Sequence, residues 1–201
     1  QQSKDKDLKA AGDRFRRNID GAEYSKLSTD AYDPGKTDTT GWNNISNDPD
    51  KLAKYGLQQK DLSIPGTNFR AQVYEPNPEV FGSDMRPTIA YQGTDPSALS
   101  DLRNDAQQAV NLNSPYYERA SSIANQVAAS GQQVTWTGHS LGGGLASASS
   151  QATGMPGWTY NAAGIYNSTV TGYNGGVIRG DGNQINAYRV NNEPLTGMQE
   201  Q

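Results

Sequence analysis

Apolar positions along the chain change period several times, and each change marks an element. Residues 1–20 are polar and charged almost throughout, which predicts a solvated, partly helical extension. Residues 20–32 place Ala22, Tyr24, Leu27 and Ala31 at helical spacing. Residues 33–66 carry DPGKTDTTGW, SNDPDK and SIPG and read as turn-rich. FRAQVYE, residues 69–75, alternates and is rich in strand formers. EPNPEVFGSDMRP reads as a loop or hairpin connection, and PTIAYQG as a short buried strand ending at Gly93. DPSALSDLRNDAQQAVNL sets Leu99, Leu102, Ala106 and Val110 on one helical face. A second helix follows, with Ser114 as N-cap, Pro115 in its first turn and Gly131 just past its end. QQVTWTG is a strand and SLGGGLASASSQAT a helix. GWTYNAAG is a strand and turn, VTGYNGGVIRGDGNQ a polar loop, and INAYRV a last strand before NNEPLT.

Strands separated by helices predict an α/β fold, a mainly parallel sheet with helices on its faces. One domain is the natural reading of 201 residues: a polar extension over 1–20, then a folded unit over 21–201. Hydrophobic content of 33%, with 22 Gly and 10 Pro, predicts a modest core under long irregular segments. The net charge of −4 argues against nucleic acid as a partner, which would call for a basic face. With no cysteine there is neither a disulfide nor a thiolate site. No apolar run is long enough to span a membrane, and the opening residues lack the apolar segment of a signal peptide.

The chemistry concentrates in VTWTGHSLGGGLASA, residues 134–148. G-x-S-x-G alone is a weak signal in a chain so rich in glycine. Its context is stronger: a strand before, a helix of Gly, Ala and Ser after. That is the setting of a nucleophile elbow, in which the serine sits at positive φ on a sharp strand-to-helix turn. Gly138, Gly142 and Gly143 supply room around Ser140. The helix N-terminus behind Ser140 aims N–H groups and positive dipole at developing negative charge.

GHSLGGGLA resembles the elbow of class 3 (fungal-type) lipases and their bacterial lipase and phospholipase relatives in the α/β-hydrolase superfamily. IAYQGTDPSALSDLRND resembles that family's strand, R-G-T-type turn and W-x-x-D-type segment. WTYNAAG resembles its strand ending F-N-x-x-G, and AYRVNNEPLT the strand that carries the triad acid before D-P-[VL]. LSTDAYD is similar to an opening helix of the group. The resemblance covers roughly residues 20–198 and implies an α/β-hydrolase-like fold, an ester hydrolase activity and no metal or organic cofactor.

Carried over residue by residue, the resemblance implies Ser140 as nucleophile and the Leu141 N–H as one oxyanion donor. By the same resemblance Thr94 would complete the oxyanion hole and Glu193 would be the triad acid. The family has Asp where this chain has Glu193, one methylene longer, and Arg where it has Gln92. Asp101 or Asp105 matches an Asp that orients the oxyanion turn; the plain alternative for Asp101 is a carboxylate that stabilises a first helical turn. Asp181, in RGDG, is a fallback acid whose ordinary reading is turn formation.

The base poses the difficulty. The chain has one histidine, His139, directly before Ser140. Side chains alternate along a strand, so His139 should face away from the hydroxyl and serve packing beneath the elbow. In this superfamily the base follows the acid, and the sequence closes at Gln201 soon after Glu193. The expectation is a fold lacking its C-terminal part here, with the histidine supplied from outside this chain. A fragment, a deliberate truncation and a pseudoenzyme all fit; the intact elbow, oxyanion turn and acid favour the first two. The leading reading is therefore a serine carboxylic ester hydrolase of lipase or phospholipase type. The rival is an α/β-hydrolase-like binding module without turnover, and a histidine further along the reading frame discriminates the two. The resemblance further implies a lipid or ester substrate, a membrane surface, a C-terminal companion chain or an inhibitor or immunity protein as partners, and secretion or delivery to another compartment.

Overall fold

The computed structural model describes residues 2–93, 114–162, 172 and 177–189. Its centre is a six-stranded sheet among these residues: β1 (Trp42–Asn44), β2 (Ala71–Pro76), β3 (Thr88–Tyr91), β4 (Thr135–His139), β5 (Gly157–Tyr160) and β6 (Ile185–Tyr188), in that spatial order. β1, β2 and β3 pair antiparallel; β3 to β6 pair parallel. The mainly parallel sheet read from the sequence is present, and its parallel strands sit where predicted. The predicted helix at residues 95–112 lies outside the described residues.

Two helices cover one face. α4 (Ser114–Ser130) ends at Gly131, whose φ of 76° is the left-handed value that a terminal glycine accepts at little cost. α5 (Leu141–Thr153) follows β4 without a connecting loop. Between helices and sheet lies the larger core, with Ile123, Val127, Trp136, Leu145, Val73, Ile89 and Tyr91 all buried. Trp136 and Tyr91 stack with ring planes 5° apart. The Tyr91 hydroxyl, sealed from water, pairs with Ser149 Oγ at 2.9 Å, so this phenol is buried with its polar end satisfied.

The opposite face is covered by α1 (Gln2–Asp30), a single helix running through residue 20. Its first part is exposed, with Leu8 71% and Phe15 69% accessible. Only from Gly21 onward does it meet the sheet, where Tyr24, Leu27 and the following Ala31 pack with Trp42, Tyr74, Ala90 and Trp158. Thr137 Oγ1 on β4 donates to the Tyr24 carbonyl at 3.2 Å, and the Tyr160 hydroxyl donates to the Gly21 carbonyl. Gly21 lets Trp158 and Tyr188 close on the helix: a Cβ there would lie 2.9 Å from the Tyr188 hydroxyl.

Residues 33–66 are turn-rich, as read, and hold short elements besides. That segment holds β1, α2 (Pro49–Ala53) and one turn of 3-10 helix (Gln59–Leu62). β1 has three residues, of which only Trp42 is buried, too short for alternation to register. The connection between β2 and β3 joins antiparallel neighbours, as a hairpin does, and contains α3 (Pro78–Phe81), capped by Asn77 Oδ1 on the Glu79 N–H at 2.9 Å.

Candidate active site

The parallel strands end together at one edge, where open α/β sheets bind ligands. Tyr91 pairs with Gly138, and His139 with Tyr160. The Ser140 N–H extends the ladder by one bond, to the Tyr160 carbonyl at 3.0 Å. The chain then turns at once into α5, with Ser140 at φ 56°, ψ −123°. Ser140 and Asn161 are the only non-glycine residues at positive φ among the described ones. A side chain held there costs about 1–3 kcal/mol and persists only where the surroundings over-determine it. Ser140 is 5% accessible and makes no capping bond from its side chain to α5.

The glycines explain how so sharp a turn is tolerated. A Cβ on Gly138 would overlap the Gly142 carbonyl, and one on Gly142 would overlap the Tyr91 carbonyl and lie 2.9 Å from the Gln92 carbonyl carbon. A Cβ on Gly143 would lie 2.7 Å from that of Ala162. Backbone thus approaches backbone on three sides of the elbow. Leu141, 6% accessible, opens α5. First-turn N–H groups have no acceptor within their own helix, so those of Leu141 and Gly142 are available for a negative atom at the strand edge.

His139 lies on the sheet face shared with Thr135 and Thr137, the side covered by α1. Its Nδ1 is 3.3 Å from the Tyr32 hydroxyl, and the two rings meet edge-on at 6.4 Å between centroids. Tyr32, in the turn after α1, was not singled out in the sequence, although LSTDAYD contains it; its partner lies 107 positions along the chain. That turn is anchored by Asp30, 2% accessible. Oδ1 accepts from the Gly35 N–H at 2.9 Å and the Thr37 N–H at 3.3 Å, and Oδ2 accepts from the Tyr74 hydroxyl at 2.8 Å. Burial, and then the Asp30 carboxylate, push the Tyr74 phenol well above its ordinary range.

Beside the elbow is an open cleft of about 320 Å³, lined by Ala31, Tyr32, Asn68, Arg70, Gln72 and Gln92 with Pro34. Gln92 is tied into it by its N–H, which donates to the Arg70 carbonyl at 3.0 Å. Thr94, Asp101, Asp105 and Glu193 lie outside the described residues. Asp181 is exposed and binds its own turn: Oδ1 accepts from the Asn183 N–H at 2.9 Å, Oδ2 from Asn183 Nδ2 at 2.8 Å. Those bonds hold its carboxyl below the usual range, as the turn-forming reading requires. Among the described residues no cluster of His, Asp or Glu could hold a metal ion, and no helix is long and apolar enough to cross a membrane.

Comparison with known proteins bears on this geometry. Over 145 residues the chain is 30% identical to an extracellular phospholipase A1 of Serratia liquefaciens. The match takes in 72% of this chain and 42% of that protein, so the chain spans less than half the length of this relative. The family model for a Tle-like phospholipase domain matches residues 23–201. With most of its length under that match and a strained serine at the sheet edge, the chain belongs to the Tle-like phospholipase domain family.

Proposed function

We propose that this chain carries the nucleophile of a serine esterase that cleaves acyl esters of phospholipids, in the manner of the class 3 lipases and other α/β-hydrolases. The observation that carries the reading is Ser140 at φ 56°, ψ −123° on the β4–α5 turn. Backbone contacts that exclude a Cβ at Gly138 and Gly142 fix its position. The phospholipase family supports the substrate class, and the extracellular relative supports secretion.

In the proposed reaction Ser140 Oγ bonds to the acyl carbonyl carbon as its proton passes to a histidine base. The carbonyl π electrons move to oxygen, where the Leu141 and Thr94 N–H groups hold the negative charge. Collapse breaks the ester C–O bond, the leaving glycerol oxygen takes the proton from the base, and water then releases the acyl group by the same steps. Glu193 orients the base. His139 stands on the α1 side of β4 against Tyr32, so the base comes from outside these 201 residues, from a flanking segment or a companion chain.

Fatty-acid release from phosphatidylcholine and phosphatidylglycerol vesicles by the full-length protein tests this. Ser140→Ala is expected to lower kcat by at least about 10³-fold, the scale of losing a triad nucleophile. Retention of activity in that variant, with its fold intact by circular dichroism, would dismiss Ser140 as nucleophile.

A further inference from the structure

The cleft beside the elbow differs in chemistry from what an acyl chain needs. Among the described residues five of those lining it are polar, Tyr32, Asn68, Arg70, Gln72 and Gln92, against Ala31 and Pro34. An acyl chain would gain little from such walls, because its binding rests on apolar area removed from water. Among the described residues no carboxylate lines the cleft and none forms an ion pair with Arg70. The guanidinium is instead braced by its own loop: Nη1 donates to the Phe69 carbonyl at 2.6 Å and the Thr67 carbonyl at 3.1 Å. A guanidinium has five N–H donors, so this bracing engages Nη1 alone, restrains the fork, and leaves the N–H groups of Nη2 and Nε outside these two bonds.

Two of the lining residues touch the neighbours of Ser140. Tyr32 touches the imidazole of the residue before Ser140. Gln92 packs on Gly142, two residues after Ser140, whose Cβ position is 3.0 Å from the Gln92 carbonyl oxygen. In a glycerophospholipid the phosphate lies a few bonds from the ester carbonyls, across the glycerol carbons. A cation in a polar cleft next to the serine turn has the charge that such a phosphate needs.

From this we propose that the cleft receives the head-group phosphate of the substrate, with Arg70 supplying the charge and Tyr32, Asn68 and Gln92 hydrogen bonds. The assignment rests on the phospholipase reading and adds the residue that distinguishes a phospholipid from a neutral ester. Arg70 is a specificity residue and takes no part in bond making.

The test compares kcat/KM for a short-chain phosphatidylcholine with that for the diacylglycerol of the same acyl chains, in the full-length protein and in Arg70→Gln and Arg70→Lys. The phospholipid-to-diacylglycerol ratio is expected to fall about 10- to 100-fold in Arg70→Gln, the span of one charge-assisted hydrogen bond. The fall should appear mainly in KM, with partial recovery in Arg70→Lys. An unchanged ratio overturns the assignment. Calorimetric titration with glycerol 3-phosphate reads the cleft without turnover, so failure of the hydrolase reading is seen separately, as absent hydrolysis of both esters. Binding of glycerol 3-phosphate that Arg70→Gln abolishes supports the proposal. Absent binding, or binding that Arg70→Gln leaves unchanged, overturns it.

Discussion

At Gly142 two effects of opposite sign meet. Alanine is the better helix former by about 1 kcal/mol, so intrinsic propensity favours Gly142→Ala in the first turn of α5. Its Cβ, however, would overlap the Tyr91 carbonyl and press on the Gln92 backbone, neither of which can swing aside as a flexible side chain would. Overpacking of this kind costs about 1–3 kcal/mol, so sterics win. Gly142→Ala is expected to lower stability by about 1–2 kcal/mol in urea unfolding. It should also lower phospholipase activity on the order of 100-fold, since the strand ends that frame the site must part. Gly12, in the exposed part of α1 with nothing within 4 Å of its Cβ position, should respond the other way and gain about 1 kcal/mol on change to alanine. Equal responses at the two glycines would refute this account of the elbow. The elbow was legible in the sequence because its constraint is local: a serine between a strand and a helix, with glycine at fixed offsets. Tyr32 and Arg70 were not, because their significance comes from contacts across the fold, and nothing in their own neighbourhoods marks them.

Among the elements, α1 divides into two parts with different expected sensitivity. Its first turns touch little of the protein, and Leu8→Ala or Phe15→Ala should change stability by less than about 0.5 kcal/mol. Its end is tied down by Asp30, whose carboxylate satisfies two backbone N–H groups and the Tyr74 hydroxyl while almost fully buried. Asp30→Ala strands three donors and is expected to cost about 2–4 kcal/mol in chemical denaturation, with Asp30→Asn recovering part of it. A cost below about 1 kcal/mol for Asp30→Ala would mean that the turn carrying Tyr32 is held by something else. Only part of this element is legible in the sequence. Spacing of Tyr24, Leu27 and Ala31 marked the docked portion, whereas residues 1–20 offer no apolar period, and their helix continues from the docked half. β1 escaped notice for a related reason: three residues with one buried side chain carry no pattern.

For the whole molecule, buried phenols set the response to alkali. Tyr74, Tyr91 and Tyr160 all have pKa values raised above the ordinary 10.0. Burial is the leading cause in each, joined by the Asp30 carboxylate at Tyr74 and by Tyr188 and Tyr24 at Tyr160; at Tyr91 the Ser149 bond works against it. Above about pH 10 the unfolded chain releases these protons while the native state keeps them, so the native state binds more protons and stability falls as pH rises. The contribution is complete below pH 10 and is lost progressively above it, by up to about 1.4 kcal/mol per phenol per pH unit. Urea unfolding should give a clearly lower free energy at pH 11 than at pH 8, and Tyr74→Phe should flatten the difference. Stability that holds level to pH 11 would contradict the burial of these rings. At this scale the sequence was most informative: alternating strands and helices predicted the parallel sheet and its face-covering helices, because period and segment length survive without knowledge of the contacts.

Covalent capture is the direct test of Ser140 as the proposed nucleophile. The full-length protein is treated with a fluorophosphonate and its peptides are read by mass spectrometry, with Ser140→Ala beside it. One phosphonyl adduct is expected, on the peptide carrying Ser140, absent from the alanine variant. An adduct on another serine, or none in a protein that hydrolyses phospholipid, would contradict it.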